Sequence, residues 1–141
     1  MKPQPETGFI DYKIQQVLGM DESVLSVAIV DSHGTTLGSR SKYGAQDIFS
    51  ARGKNFQEDF GIWIRAALAM IIPFDEHFGN CSVLSAFYDE VKIMILPIPE
   101  MEIFFVLVCL RSANAELILC KFREIVVVTE GVYRKTKKNL V

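Results

Sequence analysis

Residues 91–118 read VKIMILPIPEMEIFFVLVCLRSANAELI. Two apolar runs flank Pro-Glu-Met (99–101), and a capped helical start follows directly. In VKIMILPIP (91–99), Val91, Ile93 and Ile95 fall on one face of a strand, and Lys92, Met94 and Leu96 on the other. EIFFVLVCL (102–110) is apolar on both faces, which marks a central strand covered on two sides. Pro97 and Pro99 come at the end of their strand, where a missing donor costs least. Upstream, CSVLSAFY (81–88) alternates loosely and connects through Asp89-Glu90. Such short links predict a three-stranded antiparallel meander. Downstream, SANAELILCKFREIVVVTEGVYR (112–134) predicts a helix. Ser112 or Asn114 caps it and Glu116 suits its first turn. Ile118, Phe122, Ile125, Thr129 and Val132 form one stripe, although the β-branched run Ile125 to Val128 weakens the helix locally.

The first half adds a helix, a hairpin and a second helix. In GFIDYKIQQVLGM (8–20), Ile10, Ile14, Val17 and Leu18 share a helical face and Gly19 supplies a stop. SVLSVAIVD (23–31) and the more polar TTLGSRS (35–41) predict a hairpin whose second strand lies nearer an edge. The link between them holds Asp31, Ser32, His33 and Gly34. Asp31 suits an Asx turn, and Gly34 suits the left-handed residue that closes a type I turn and bulge. Residues 42–55 read as a loop. FQEDFGIWIRAALAMIIPFDEHFG (56–79) is helical in character, and Pro73 should end or kink it. From Ile62 to Ile72 only Arg65 is charged. A helix lying on a surface shows a polar half. This one does not, so it should be covered on more than one side.

Composition points the same way. Half of the 141 residues are hydrophobic and mean hydropathy is +0.23. No apolar run reaches the roughly 18 residues of a spanning helix. The polar start MKPQPETGF has no signal-peptide core. A subunit interface is the expected home of the surplus apolar surface. Net charge is −2, and the last eight residues, RKTKKNLV, carry four bases, leaving 11 basic against 17 acidic residues elsewhere. An acidic body disfavours nucleic acid as a partner. Cys81, Cys109 and Cys120 each lie in an apolar run, and read as reduced core thiols of a cytoplasmic protein.

The expected fold class is α+β: a five-stranded antiparallel sheet with helices on its faces, in the order α-β-β-α-β-β-β-α. Three stretches make the chain resemble the roadblock family of dynein light chains and its prokaryotic relatives, within the profilin-like group. They are VLSVAIVDSHGTTLGS (24–39), VKIMILPIPEMEIFFVLV (91–108) and RSANAELI (111–118). A longin domain begins at its first strand, so the helix at 9–18 favours roadblock. Residues 1–7 then read as a disordered N-terminus, 8–134 as one roadblock-like domain and 135–141 as a basic tail. The loop at 42–55 is longer than the family pattern and leaves room for an inserted function.

The resemblance implies a dimer built through the second helix and third strand. It implies as interface residues Phe60, Trp63, Ile64, Ala67, Leu68 and Ile71, shared between core and interface, with Val83, Ser85 and Phe87 on the strand. Trp63 is the expected anchor, since aromatic residues dominate interface energetics. It further implies a non-enzymatic adaptor or scaffold that pairs with itself and holds another protein, often a small Ras-like GTPase or a multiprotein complex. The alternative is a small-molecule sensor of the PAS or profilin-like kind.

No chemical motif competes with that reading. Adjacent residues on a tight turn point apart, so Asp31, Ser32 and His33 do not make a triad. Asp75, Glu76 and His77 lack a further ligand at metal spacing. GAQDIFSARGK lacks the spacing of a phosphate-binding loop. The expectation is no catalytic residue, no cofactor and no metal.

Overall fold

The computed structural model describes residues 7–42 and 54–126. Helix α1 (Thr7–Leu18) leads into strands β1 (Val24–Asp31) and β2 (Thr36–Ser41). Helix α2 (Lys54–Ile71) ends in a 3₁₀ turn, Ile72–Phe74, and a one-turn helix α3 (Asp75–Phe78). Strands β3 (Leu84–Phe87), β4 (Val91–Ile98) and β5 (Ile103–Leu110) follow, then helix α4 over 115–126. The expectations for residues 1–6, for the loop at 43–53 and for everything beyond 126, including the tail, lie outside the described residues.

All strands pair antiparallel, in the order β2-β1-β5-β4-β3. The strand that is apolar on both faces, β5, is therefore the middle one, and the meander β3-β4-β5 is present. Two layers cover the sheet. On one face, Ile10, Ile14 and Val17 of α1 and Ile118 and Phe122 of α4 pack on Val27, Ile29, Met94, Leu96, Phe105 and Leu107. On the other, Ile64, Ala67 and Leu68 of α2 pack on Ala28, Val30, Ile95, Phe104, Val106 and Val108. The alternation in β4 sorts its side chains between these cores.

Local chemistry sets the ends. Asn114 caps α4: its Oδ1 accepts from the Leu117 N–H at 3.1 Å. Pro73 sits in the first turn after α2, which stops at Ile71. The β1–β2 turn is held by Asp31, whose Oδ1 accepts from the N–H groups of His33 (2.9 Å) and Thr35 (3.0 Å). Gly34 has φ +81° there. The hairpin register slips between Ile29 and Val30, leaving Leu37 as the extra residue. Gly38 lets α1 lie close on β2: a Cβ there would stand 3.0 Å from Ile10 Cγ2.

Two expectations need correction. Strand β3 has four residues rather than the eight of 81–88. Continuing its register past Leu84–Ile95 would set Ser82 opposite Pro97, which has no N–H to give. The thiols are also not all core. Cys109 is buried, Cys81 is intermediate and Cys120 is exposed. Ile118 and Phe122 face inward, and the helical period turns Cys120 outward. One feature lay unread in the sequence: Lys13 is only 5% exposed. Its ammonium donates to Gln16 Oε1 at 2.8 Å and lies 5.5 Å from the Tyr12 ring centre, and burial lowers its pKa.

Candidate functional site

Helix α2 has two apolar stripes. The inner one holds Ile64, Ala67, Leu68 and Ile71, all buried against the sheet. Phe60 and Trp63 border it, half-buried and stacked with ring centres 6.2 Å apart. The outer stripe is Ile62, Ala66, Ala69 and Met70, at helical spacing and all exposed. Ile62 is 57% exposed and Met70 61%. The stripe runs on through Ile72, Phe74 and Phe78, which are exposed too. Phe74 and Phe78 stack with centres 6.0 Å apart, and His77 meets Phe78 edge-on.

The residues expected at an interface therefore divide into three groups. Ile64, Ala67 and Leu68 keep almost no free surface, and Ile71 little more, so the core of one chain takes them. Trp63 and Phe60 are partly spoken for by that same core. The strand residues lie elsewhere. Ser85 pairs with Met94 and Phe87 with Lys92, which places both on the α4 side of the sheet. Val83 packs against that core as well. The outer stripe of α2 was missed because the sequence gives both stripes the same apolar character. On the α2 side, the sheet adds exposed Leu110, which pairs with Val91.

Phe87 has its own surroundings. Its ring is 60% exposed, with Lys92 Nζ 5.1 Å and the Arg111 guanidinium carbon 5.3 Å from its centre. The Lys92 ammonium donates to the Ala113 carbonyl oxygen at the start of α4. Further along, Arg123 Nη2 donates to Ser82 Oγ at 3.1 Å.

A polar staple ties α4 to the α1–β1 loop. The Asp21 carboxylate accepts from Lys121 Nζ at 2.8 Å, from the Ser23 N–H at 2.9 Å and from the Ser23 hydroxyl. Lys121 chiefly, then Ser23, holds the Asp21 pKa well below the usual carboxylate range. Lys42 Nζ donates to the Asp21 carbonyl at 2.7 Å. Nearby, burial pushes the Cys109 thiol up to about 11.

A cleft of about 280 Å³ lies where the end of α2 meets the end of the sheet, walled by Ile71, Ile72, Pro97 and Phe104, with Ser32, Asp75 and Glu102 at its polar side. Glu102 adopts the left-handed conformation, at φ 54°. Among the described residues no group of three or more His, Cys, Asp or Glu side chains is placed to hold a metal. Among them, too, no helix is long and apolar enough to cross a membrane.

No family model matches the chain, and no curated protein matches it in sequence. Solved structures do. MglB of Myxococcus xanthus superposes with a TM-score of 0.70 over 96% of this chain and 95% of its own, at 8% identity. A roadblock/LC7 domain from Streptomyces avermitilis gives 0.61 over 88% of this chain and 97% of its own, at 8% identity. A structure of MglB with a tetrameric arrangement gives 0.63 over 89% and 88%, again at 8% identity. Element order, sheet topology and near-complete mutual coverage agree, and the chain folds as a roadblock-like domain.

Proposed function

We propose that this chain is a non-enzymatic adaptor that pairs with a second copy of itself and holds another protein on the joint surface. The observation that carries the proposal is the outer stripe of α2, an apolar helix face left open on a chain whose opposite face is already full. Burying an Ile, Met or Phe side chain fully is worth roughly 1.5–3 kcal/mol, so a half-exposed one still has about 1 kcal/mol to gain. Ile62, Met70, Ile72, Phe74 and Phe78, each doubled in a symmetric pair, supply on the order of 10 kcal/mol. That is the scale of the freedom lost on association. The tetrameric arrangement of an MglB structure supports self-association within this fold. The roadblock resemblance points to a small Ras-like GTPase or a multiprotein complex as the further partner, and to a cytoplasmic setting.

The test is mass in solution by light scattering, for the wild type and for Ile62→Glu and Met70→Glu. The wild type should run at twice its 15.9 kDa chain mass. Both variants should run as folded monomers, since each alters a side chain that its own core does not use. A wild type that is monomeric at high micromolar concentration, or variants that keep the paired mass, would refute the pairing. Failure to capture any GTPase or scaffold protein with the paired form would refute the adaptor role. A sensor role has the cleft beside α2 in its favour. Its volume of about 280 Å³ lies at the small end of ligand pockets, and the open apolar stripe of α2 favours the adaptor reading.

A further inference from the structure

We infer that the groove between α4 and the edge strand β3 is a second docking surface, and that it takes an acidic segment of another protein. It lies on the opposite face of the sheet from the outer stripe of α2. Phe87 is an exposed aromatic ring that two cations hold in place. Lys92 is pinned by the Ala113 carbonyl. Arg111 lies over the same ring, and none of its N–H donors meets an acceptor among the described residues. Neither cation has a carboxylate within 4.0 Å among the described residues, although Asp89, Glu90 and Glu116 are close in sequence. Arg123, fixed on Ser82 at the other end of the groove, has none either among the described residues.

Three cationic groups without a counter-charge among the described residues thus line one groove of a chain whose net charge is −2. A cation gains a strong charge-assisted hydrogen bond when it meets a carboxylate, and two of these are already ordered, which lowers the cost of binding. From Ser82 to Phe87 an extended chain spans about 17 Å, the reach of roughly five extended residues. A short acidic peptide meets only the groove. A duplex or an anionic bilayer would also face the acidic body around it, and like charge repels them.

The probe is a fluorescein-labelled ten-residue oligoglutamate, read by anisotropy at about 50 mM salt. The wild type should bind saturably, and more weakly as salt rises. Arg111→Glu should weaken binding at least about tenfold while its melting temperature stays at the wild-type value, and Arg111→Lys should weaken it less. Ile62→Glu should bind like the wild type, so loss of pairing and loss of this groove read out separately. Absence of saturable binding by the wild type, or equal binding by Arg111→Glu, would overturn the assignment. So would Arg111-dependent capture of phosphatidylserine vesicles in preference to the peptide.

Discussion

Replacing Gly34 by alanine should destabilise the chain by about 2–3 kcal/mol, although the substitution adds one methyl group at a surface turn. Two effects combine. Gly34 has φ +81°, where an L-residue costs roughly 1–2 kcal/mol. The new Cβ would also stand 3.2 Å from the Gly61 carbonyl oxygen and 3.1 Å from Arg65 Cγ, both on α2. The arginine stem can swing away, but the helix backbone cannot. The turn must therefore lift off α2 or α2 must shift on the sheet. For a chain of this size each kcal/mol moves the melting temperature by about 3–5 °C, so a loss of about 6–15 °C is expected. Differential scanning fluorimetry measures it. Adding Arg65→Ala removes one of the two contacts and should restore part of the loss. A Gly34→Ala variant within 1 kcal/mol of the wild type would show that the hairpin tip does not bear on α2. Equal destabilisation with and without Arg65→Ala would assign the whole effect to the backbone and the Gly61 carbonyl.

Asp21→Asn should cost roughly 1 kcal/mol at neutral pH, a value kept small because the partner lysine is 38% exposed. The depressed carboxyl pKa sets the sign: the stabilisation is fully present above the unfolded value near 4 and is lost as pH falls below it, so the gap between variant and wild type in denaturant titrations should narrow steadily as pH falls from about 4. Thiol titration at pH 8 should find Cys120 reacting first, Cys81 more slowly and Cys109 only on unfolding. At a pKa of about 11, roughly one Cys109 thiol in a thousand is ionised at that pH, and the group is buried as well. Fast reaction of Cys109 in the native protein would contradict its place in the core.

The central strand was legible because Ile103–Leu110 is apolar at every position, and only a middle strand between two layers needs that. The end of α2 was legible from Pro73. The direction in which α2 faces was not. Residues 64, 67, 68 and 71 form one apolar stripe and 62, 66, 69 and 70 another, and the single charge, Arg65, does not decide between them. Only the seating of the helix on Ala28, Val30 and Val106 does so. The Phe87 clasp was out of reach for another reason. Its cations come from Lys92 and Arg111, which the β3–β4 pairing and the turn after β5 bring to one ring. Cys120 could have been read correctly, since its distance of two residues from both Ile118 and Phe122 already turns it away from the core.

The position of β5 bears on how the chain is made. Val30 pairs with Phe104, about half the chain away, and β5 also supplies the inner neighbour of β4. The two hairpins, β1–β2 and β3–β4, are therefore synthesised first as halves that cannot join. Each waits with an unpaired edge and apolar side chains in water until the fifth strand leaves the ribosome and slots between them. Pairing of such long range is slow, and unpaired apolar edges invite aggregation. A chain cut before β5 should thus be a substrate for chaperones and proteases, not a smaller folded unit.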